Sequence, residues 1–158
     1  MASCGKIEEL SPIPSIRYTS FAVFDSVDQL GNSQKAGKLK FYFEDGDGDL
    51  GSTGDGLDTL KNMFISLYKK SNGSMVISTD TLDPLLPYSF FRIPYMERLG
   101  QNKILKGTIS VTFLYLYYPI ERNDTIQYEF YIRDRASNSS NSVLTGEIAV
   151  SFNKIYTK

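Results

Sequence analysis

The 158-residue chain has no histidine, no tryptophan, a single cysteine (Cys4) and only five alanines. Without histidine it lacks the side chain that titrates near neutral pH, the commonest protein metal ligand, and any Ser-His or Cys-His nucleophile pair. One cysteine excludes an internal disulfide and a cysteine zinc site. No apolar run approaches the roughly 18 residues of a membrane-spanning helix. Net charge is −1, and basic residues such as Lys103, Lys106 and Arg122 are scattered, so no nucleic-acid partner is expected. The length suits one domain, and the missing groups point to a non-catalytic one.

What is present favours strands. Phe and Tyr total 21 residues, and apolar residues recur with period two. Strands are expected over 17–24, 38–43, 63–68, 109–117, 126–133 and 148–152, with weaker ones over 74–78 and 88–93. In the first, Tyr18, Ser20, Ala22 and Phe24 should share a face. In the second, Leu39, Phe41 and Phe43 oppose Lys38, Lys40 and Tyr42. Lys69-Lys70-Ser71-Asn72-Gly73 reads as a hairpin turn, and residues 55–62 could form one turn of helix. Seven or eight short strands with turns between them predict an all-β fold, a two-sheet antiparallel β-sandwich of immunoglobulin-like type over residues 16–158. Residues 1–15, with Gly5, Ser11, Pro12, Pro14 and Ser15, read as a semi-extended tether or a disordered terminus.

Met1-Ala2-Ser3-Cys4-Gly5 is similar to the cleavage end of a bacterial lipoprotein signal, in which small residues precede the cysteine that becomes lipidated. The basic and apolar regions of such a signal do not precede it here. Cys4 is the expected lipidation site, and Glu8-Glu9 resembles an acidic signal for outer-surface export.

The sharpest local feature is Phe43-Glu44-Asp45-Gly46-Asp47-Gly48-Asp49-Leu50-Gly51, followed by Asp55 and Asp58. Six of the 18 acids lie between positions 44 and 58 with no Lys or Arg among them, a local charge of −6 against +5 for the remaining chain. Such crowding is unfavourable unless the loop stays solvated or holds a cation. Oxygen ligands on a Gly-containing loop suit calcium. Asp45, Asp47 and Asp49 alternate as in the first half of an EF-hand loop, but Leu50 stands at the required glycine and Gly56 at the closing Glu, so this is not an EF-hand. Asp55, Asp58 or Asp134 would complete an EF-like half-site. The alternative is a set of tight, metal-free Asp-Gly turns.

An apolar strand followed by Asp-x-Asp-Gly-x-Leu also resembles motif one of the haloacid-dehalogenase phosphatases. Asp45 would be the nucleophile and Asp47 the acid/base of a metal-dependent phosphohydrolase. That reading needs a parallel α/β core, for which the chain lacks helical segments, and Asp49 stands where Thr is expected.

Near the other end, Arg133-Asp134-Arg135-Ala136-Ser137-Asn138-Ser139-Ser140-Asn141 leaves one strand and turns toward the next. Its Asp, Asn and Ser side chains can close that turn. Alternatively Asp134, with Asn138, lies beside the acidic loop, or Arg135 pairs with one of its carboxylates. Phe43 to Gly51, Asp134 to Asn141 and Cys4 together resemble small envelope lipoproteins of the Bacteroidetes type, over residues 4 to about 153. Leu50 stands where Ile is expected and Ser137 where Gly is common. The resemblance implies a β-sandwich lipid-anchored in the bacterial outer membrane, facing the periplasm or the surface, and no established activity.

Tyr115, Tyr117, Tyr118, Tyr128 and Tyr131 cluster in two strands. Tyr117, Tyr118 and Tyr131 are candidates for a sugar-stacking surface; the alternative is that Tyr115, Tyr117 and Tyr128 are core and the others cover sheet edges. The expectation is a lipid-anchored binding or accessory module with an acidic loop for calcium. The alternative is a carbohydrate-binding or polysaccharide-uptake accessory protein. Partners would be the membrane through Cys4 and a glycan or envelope protein.

Overall fold

Two antiparallel sheets pack face to face in a computed structural model that describes residues 9–53, 55, 57, 59–98, 102–119 and 121–157. Cys4 and Asp58 lie outside the described residues. The strands are β1 (Ser15–Val27), β2 (Ser33–Asp45), β3 (Met63–Ser71), β4 (Ser74–Ile77), β5 (Phe90–Phe91), β6 (Leu105–Tyr115), β7 (Thr125–Ile132), β8 (Val143–Leu144), β9 (Ile148–Ala149) and β10 (Lys154–Thr157). One sheet runs β10-β1-β2-β6. The other runs β4-β3-β7-β8, with β5 also on β3 and β9 also on β7. Neither closes into a barrel. Among the described residues there is no helix, and so none long and apolar enough to cross a membrane; the expected turn over 55–62 lies partly outside the described residues.

The period-two pattern places the core where expected in four strands. Leu39, Phe41 and Phe43 of β2, Met63, Ile65 and Leu67 of β3, Phe113 of β6 and Ile126, Tyr128, Phe130 and Ile132 of β7 are buried. Rings stack across the sandwich: Phe113 on Tyr128 at 5.1 Å and 5°, and Phe41 against Phe130 at 5.1 Å.

β1 departs from simple alternation. Tyr18 points inward as expected, but Phe21 and Val23, not Ala22 and Phe24, fill the core after it. Tyr18 pairs with Phe41 and Ser20 with Lys40, so Thr19 is an extra residue on β1. A one-residue bulge moves every later side chain to the opposite face.

The ends of the strands also differ from the sequence pattern. β1 and β2 extend through polar residues because they complete one long hairpin, down to Val27 opposite Ser33. The 148–152 segment is strand only at Ile148–Ala149, after which the chain turns and leaves Phe152 exposed. β10, which has little apolar signal of its own, docks on the outer edge of β1.

The hairpin sets the geometry of the two poles. β2 carries the chain from Ser33 at one end to Asp45 at the other, about 40 Å at the usual strand rise. The acidic loop therefore sits at one pole, and the β1–β2 turn with the end of β6 forms the other.

Candidate metal centre

Asp45 is the last residue of β2 and continues the inward row of Leu39, Phe41 and Phe43. The strand drives its carboxylate to full burial at the rim of the core. The signal was in the sequence, because parity extended two residues past Phe43 lands on Asp45. The chain then bends back so that Leu50 plugs the core. The Leu50 N–H donates to Asp45 Oδ2 at 2.8 Å, which closes the loop on itself.

Several elements pin this loop through its backbone. The Gly46 N–H donates to the Ser11 carbonyl at 2.9 Å, so the described part of the 1–15 segment is packed against the loop. Arg98 Nε donates to the Gly48 carbonyl at 2.9 Å. Gly48 has φ +65°, and a Cβ there would collide with the Lys103 carbonyl oxygen. The Ala136 N–H donates to Asp49 Oδ2 at 3.0 Å, and the Arg135 N–H to the Asp49 carbonyl at 3.3 Å. Nothing in the sequence pattern pointed to Ser11 or Arg98, which each act through one hydrogen bond to the loop backbone.

The result is three converging carboxylates. One oxygen from each of Asp45, Asp47 and Asp49 lies within 4.8 Å of the others. The Oδ1 atoms of all three are buried and have no hydrogen-bond partner. The ion pairs between described residues lie elsewhere, at Lys35–Asp25, Lys69–Asp83, Lys70–Glu147 and Arg122–Asp124. Burial pushes Asp45 up to about 6; the Leu50 N–H pulls against this, and the nearby Asp47 and Asp49 add to it. Asp49 is also raised, by burial and by the charges of Asp134 and Asp47, against the Ala136 N–H and Arg135.

The other acids expected to contribute are placed differently. Asp134 is buried, but its Oδ1 accepts the Asn138 N–H at 2.7 Å and its Oδ2 accepts Asn138 Nδ2 at 2.8 Å. Both oxygens close the 134–138 turn, in which Ser137 takes φ +72°, a region that favours glycine. Its charge still reaches Asp49. Arg135 does not pair with a carboxylate of the cluster; its Nη1 donates to the Ser52 carbonyl at 3.2 Å. Asp55 is exposed and accepts from Thr53 Oγ1 and the Leu57 N–H, outside the cluster. Asn141, from the same Ser/Asn run, clamps β1: its side-chain amide donates to the Ile16 carbonyl and accepts the Ile16 N–H, both at 2.9 Å.

The tyrosines do not form one surface. Tyr117 is 97% exposed, whereas Tyr118 is buried with its hydroxyl on the Arg122 carbonyl at 2.7 Å. Tyr131 stacks on Phe64 at 4.9 Å, on the other sheet. Tyr115 and Tyr128 are fully buried core residues.

The donor set fits a hard cation. Two oxygens on opposite sides of a calcium ion at about 2.4 Å lie about 4.8 Å apart, and the three carboxylates meet that limit. The phosphatase reading loses its basis, because its α/β core is replaced by an all-β sandwich and its nucleophile, Asp45, is sealed from solvent. Comparison with known proteins finds no matching family model, no matching curated protein and no matching solved structure.

Proposed function

We propose that the chain is a non-catalytic binding module of a bacterial envelope, lipid-anchored through Cys4, whose acidic loop holds calcium between Asp45, Asp47 and Asp49. The observation that carries the metal reading is the fully buried Asp45, whose carboxylate converges with those of Asp47 and Asp49 while the Oδ1 of each has no hydrogen-bond partner. Buried anions gathered with only the Arg135 charge acting against them at Asp49 are costly, and a divalent cation with oxygen ligands reverses the sign of that term. Asp47, Asp49 and the intervening glycine also give the irregular ligand geometry that calcium tolerates better than magnesium does.

The anchor rests on Ala2-Ser3-Cys4-Gly5 and on the path of residues 9–14. Ser11 is hydrogen-bonded to Gly46, and seven residues span at most about 25 Å. A lipid on Cys4 would therefore hold the domain by its acidic pole, close to a membrane surface.

Two measurements test the two parts. Thermal unfolding is followed in excess EDTA and in millimolar calcium. At 100 times its dissociation constant, calcium should add about 2.7 kcal/mol, or roughly 5–10 °C for a domain of this size. The rise should vanish in Asp47→Ala/Asp49→Ala. No rise in the wild type, or an equal rise in the double variant, removes the metal from the reading. For the anchor, the chain expressed behind a lipoprotein leader should partition into a detergent phase and Cys4→Ser should not; equal partitioning would refute lipidation.

A further inference from the structure

The pole opposite the acidic loop carries a cavity of about 410 Å³ between the β1–β2 turn and the end of β6. We propose that it binds an uncharged polyhydroxylated ligand, of the class of a sugar ring in a neutral glycan, with Tyr117 as the stacking platform and the Gln34 amide as a hydrogen-bond donor. This cavity is separate from the acidic loop, which lies at the far end of β2.

Tyr117 is the first observation. The Tyr118 N–H closes a four-residue turn on the Tyr115 carbonyl at 3.3 Å, and Tyr117 is its third residue, with φ +63°. That position favours glycine, and a bulky aromatic there strains the backbone. The ring gains no burial in exchange, since the residue is 97% exposed. Neither packing nor backbone preference accounts for a tyrosine at this place, whereas an amphipathic ligand that stacks on the ring would.

Gln34 is the second. It lines the cavity, is buried, and its Nε2 has no hydrogen-bond partner. A buried amide N–H without an acceptor is the kind of group that a ligand hydroxyl satisfies. The neighbouring walls are already fixed: the Tyr115 hydroxyl is shared with Tyr128 at 3.0 Å, and that of Tyr118 donates to Arg122. They offer rigid apolar surface rather than free polar groups.

Charge selects the ligand class. No Lys or Arg lines the cavity. Lys35, on the same strand as Gln34, is held by Asp25 at 2.7 Å and by Asn153 at 2.8 Å. Asp28 lines the cavity, but its oxygens accept the Leu30 and Asn32 N–H groups and the Asn32 side-chain amide. An anionic ligand would meet a carboxylate and no cation. A neutral ring with apolar faces and hydroxyl edges meets an aromatic face, an unpaired amide and the apolar Leu30. The volume lies in the range of small-molecule sites, about 300–1000 Å³.

The test compares wild type with Tyr117→Gly and Gln34→Ala on an array of neutral and acidic oligosaccharides, in calcium and in EDTA. Tyrosine-fluorescence titration then measures the strongest binder. Wild type should bind a neutral oligosaccharide in both buffers. Tyr117→Gly should weaken it at least tenfold while melting no lower than wild type, because glycine suits the turn. Gln34→Ala should also weaken it. The proposal is overturned if no neutral oligosaccharide exceeds the Tyr117→Gly background, if binding survives that substitution, or if only acidic oligosaccharides bind.

Discussion

Replacing Asp45 by asparagine is expected to abolish the calcium response and, in EDTA at pH 7, to raise stability by about 2 kcal/mol. A buried, hydrogen-bonded carboxylate is usually a group whose removal costs stability, so the sign is informative. Asparagine keeps an oxygen for the Leu50 N–H, which Asp45 Oδ2 accepts at 2.8 Å. Its amide N–H₂ then takes the place of Oδ1 in a carboxylate cluster with Asp47 and Asp49, whose own Oδ1 atoms have no hydrogen-bond partner. A cluster of like charges becomes one with a donor at its centre. Chemical denaturation in EDTA reads the effect, and a variant no more stable than wild type would show that the loop already tolerates its charge.

The same group sets a pH dependence with a definite sign. The folded chain holds the Asp45 proton up to about 6, above the ordinary value of 3.8. Between those values the folded state binds more protons than the unfolded state, so stability without metal falls as pH rises from 4 to 6. Asp49 is shifted in the same direction. Asp25, Asp28, Asp55 and Glu129 are all pulled below their ordinary values and act at lower pH. The Asp45→Asn advantage should therefore shrink toward pH 4.

Gly48→Ala is expected to destabilise the chain by about 3 kcal/mol or more, lowering its melting temperature by roughly 6–12 °C. Two effects combine. Gly48 has φ +65°, where a Cβ is strained, and that Cβ would run into the Lys103 backbone carbonyl, which cannot swing aside as a side chain does. Gly73 provides the control. Its φ is +83°, yet a Cβ there meets nothing within 4 Å, so Gly73→Ala feels the backbone term alone. Equal losses at both positions would mean that the 102–104 segment yields freely. The calcium response should weaken in Gly48→Ala and persist in Gly73→Ala, because only the first displaces Asp47 and Asp49.

These contrasts show how far the sequence could be read. Alternation of large apolar residues located the two sheets, and carried through Phe43 it also implies the inward Asp45. It could not show the bulge at Thr19, because an extra residue leaves no mark in composition. It missed β10, whose place is decided by the open edge of β1 rather than by its own residues. The acidic run named the cluster but not its membership: Asp134 and Asp55 have the right chemistry, but the 134–138 turn claims both oxygens of Asp134 and Asp55 lies exposed outside the cluster. Tyr117 and Tyr118, adjacent in sequence, separate because the turn at 115–118 sends one ring out and the other in.

The docking of β10 on β1 also bears on how the molecule assembles in time. The β1–β2 hairpin is local and can form within microseconds. Residues 20–23 find their outer partners only in residues 154–157, across almost the whole chain, and such long-range closure belongs to the millisecond-to-second regime of β-sandwich folding. During folding β1 must therefore wait with one flank bare until β10 docks. For that interval an edge beside Phe21 and Val23 is open to wrong partners, and the last short strand acts as the latch that ends the exposure.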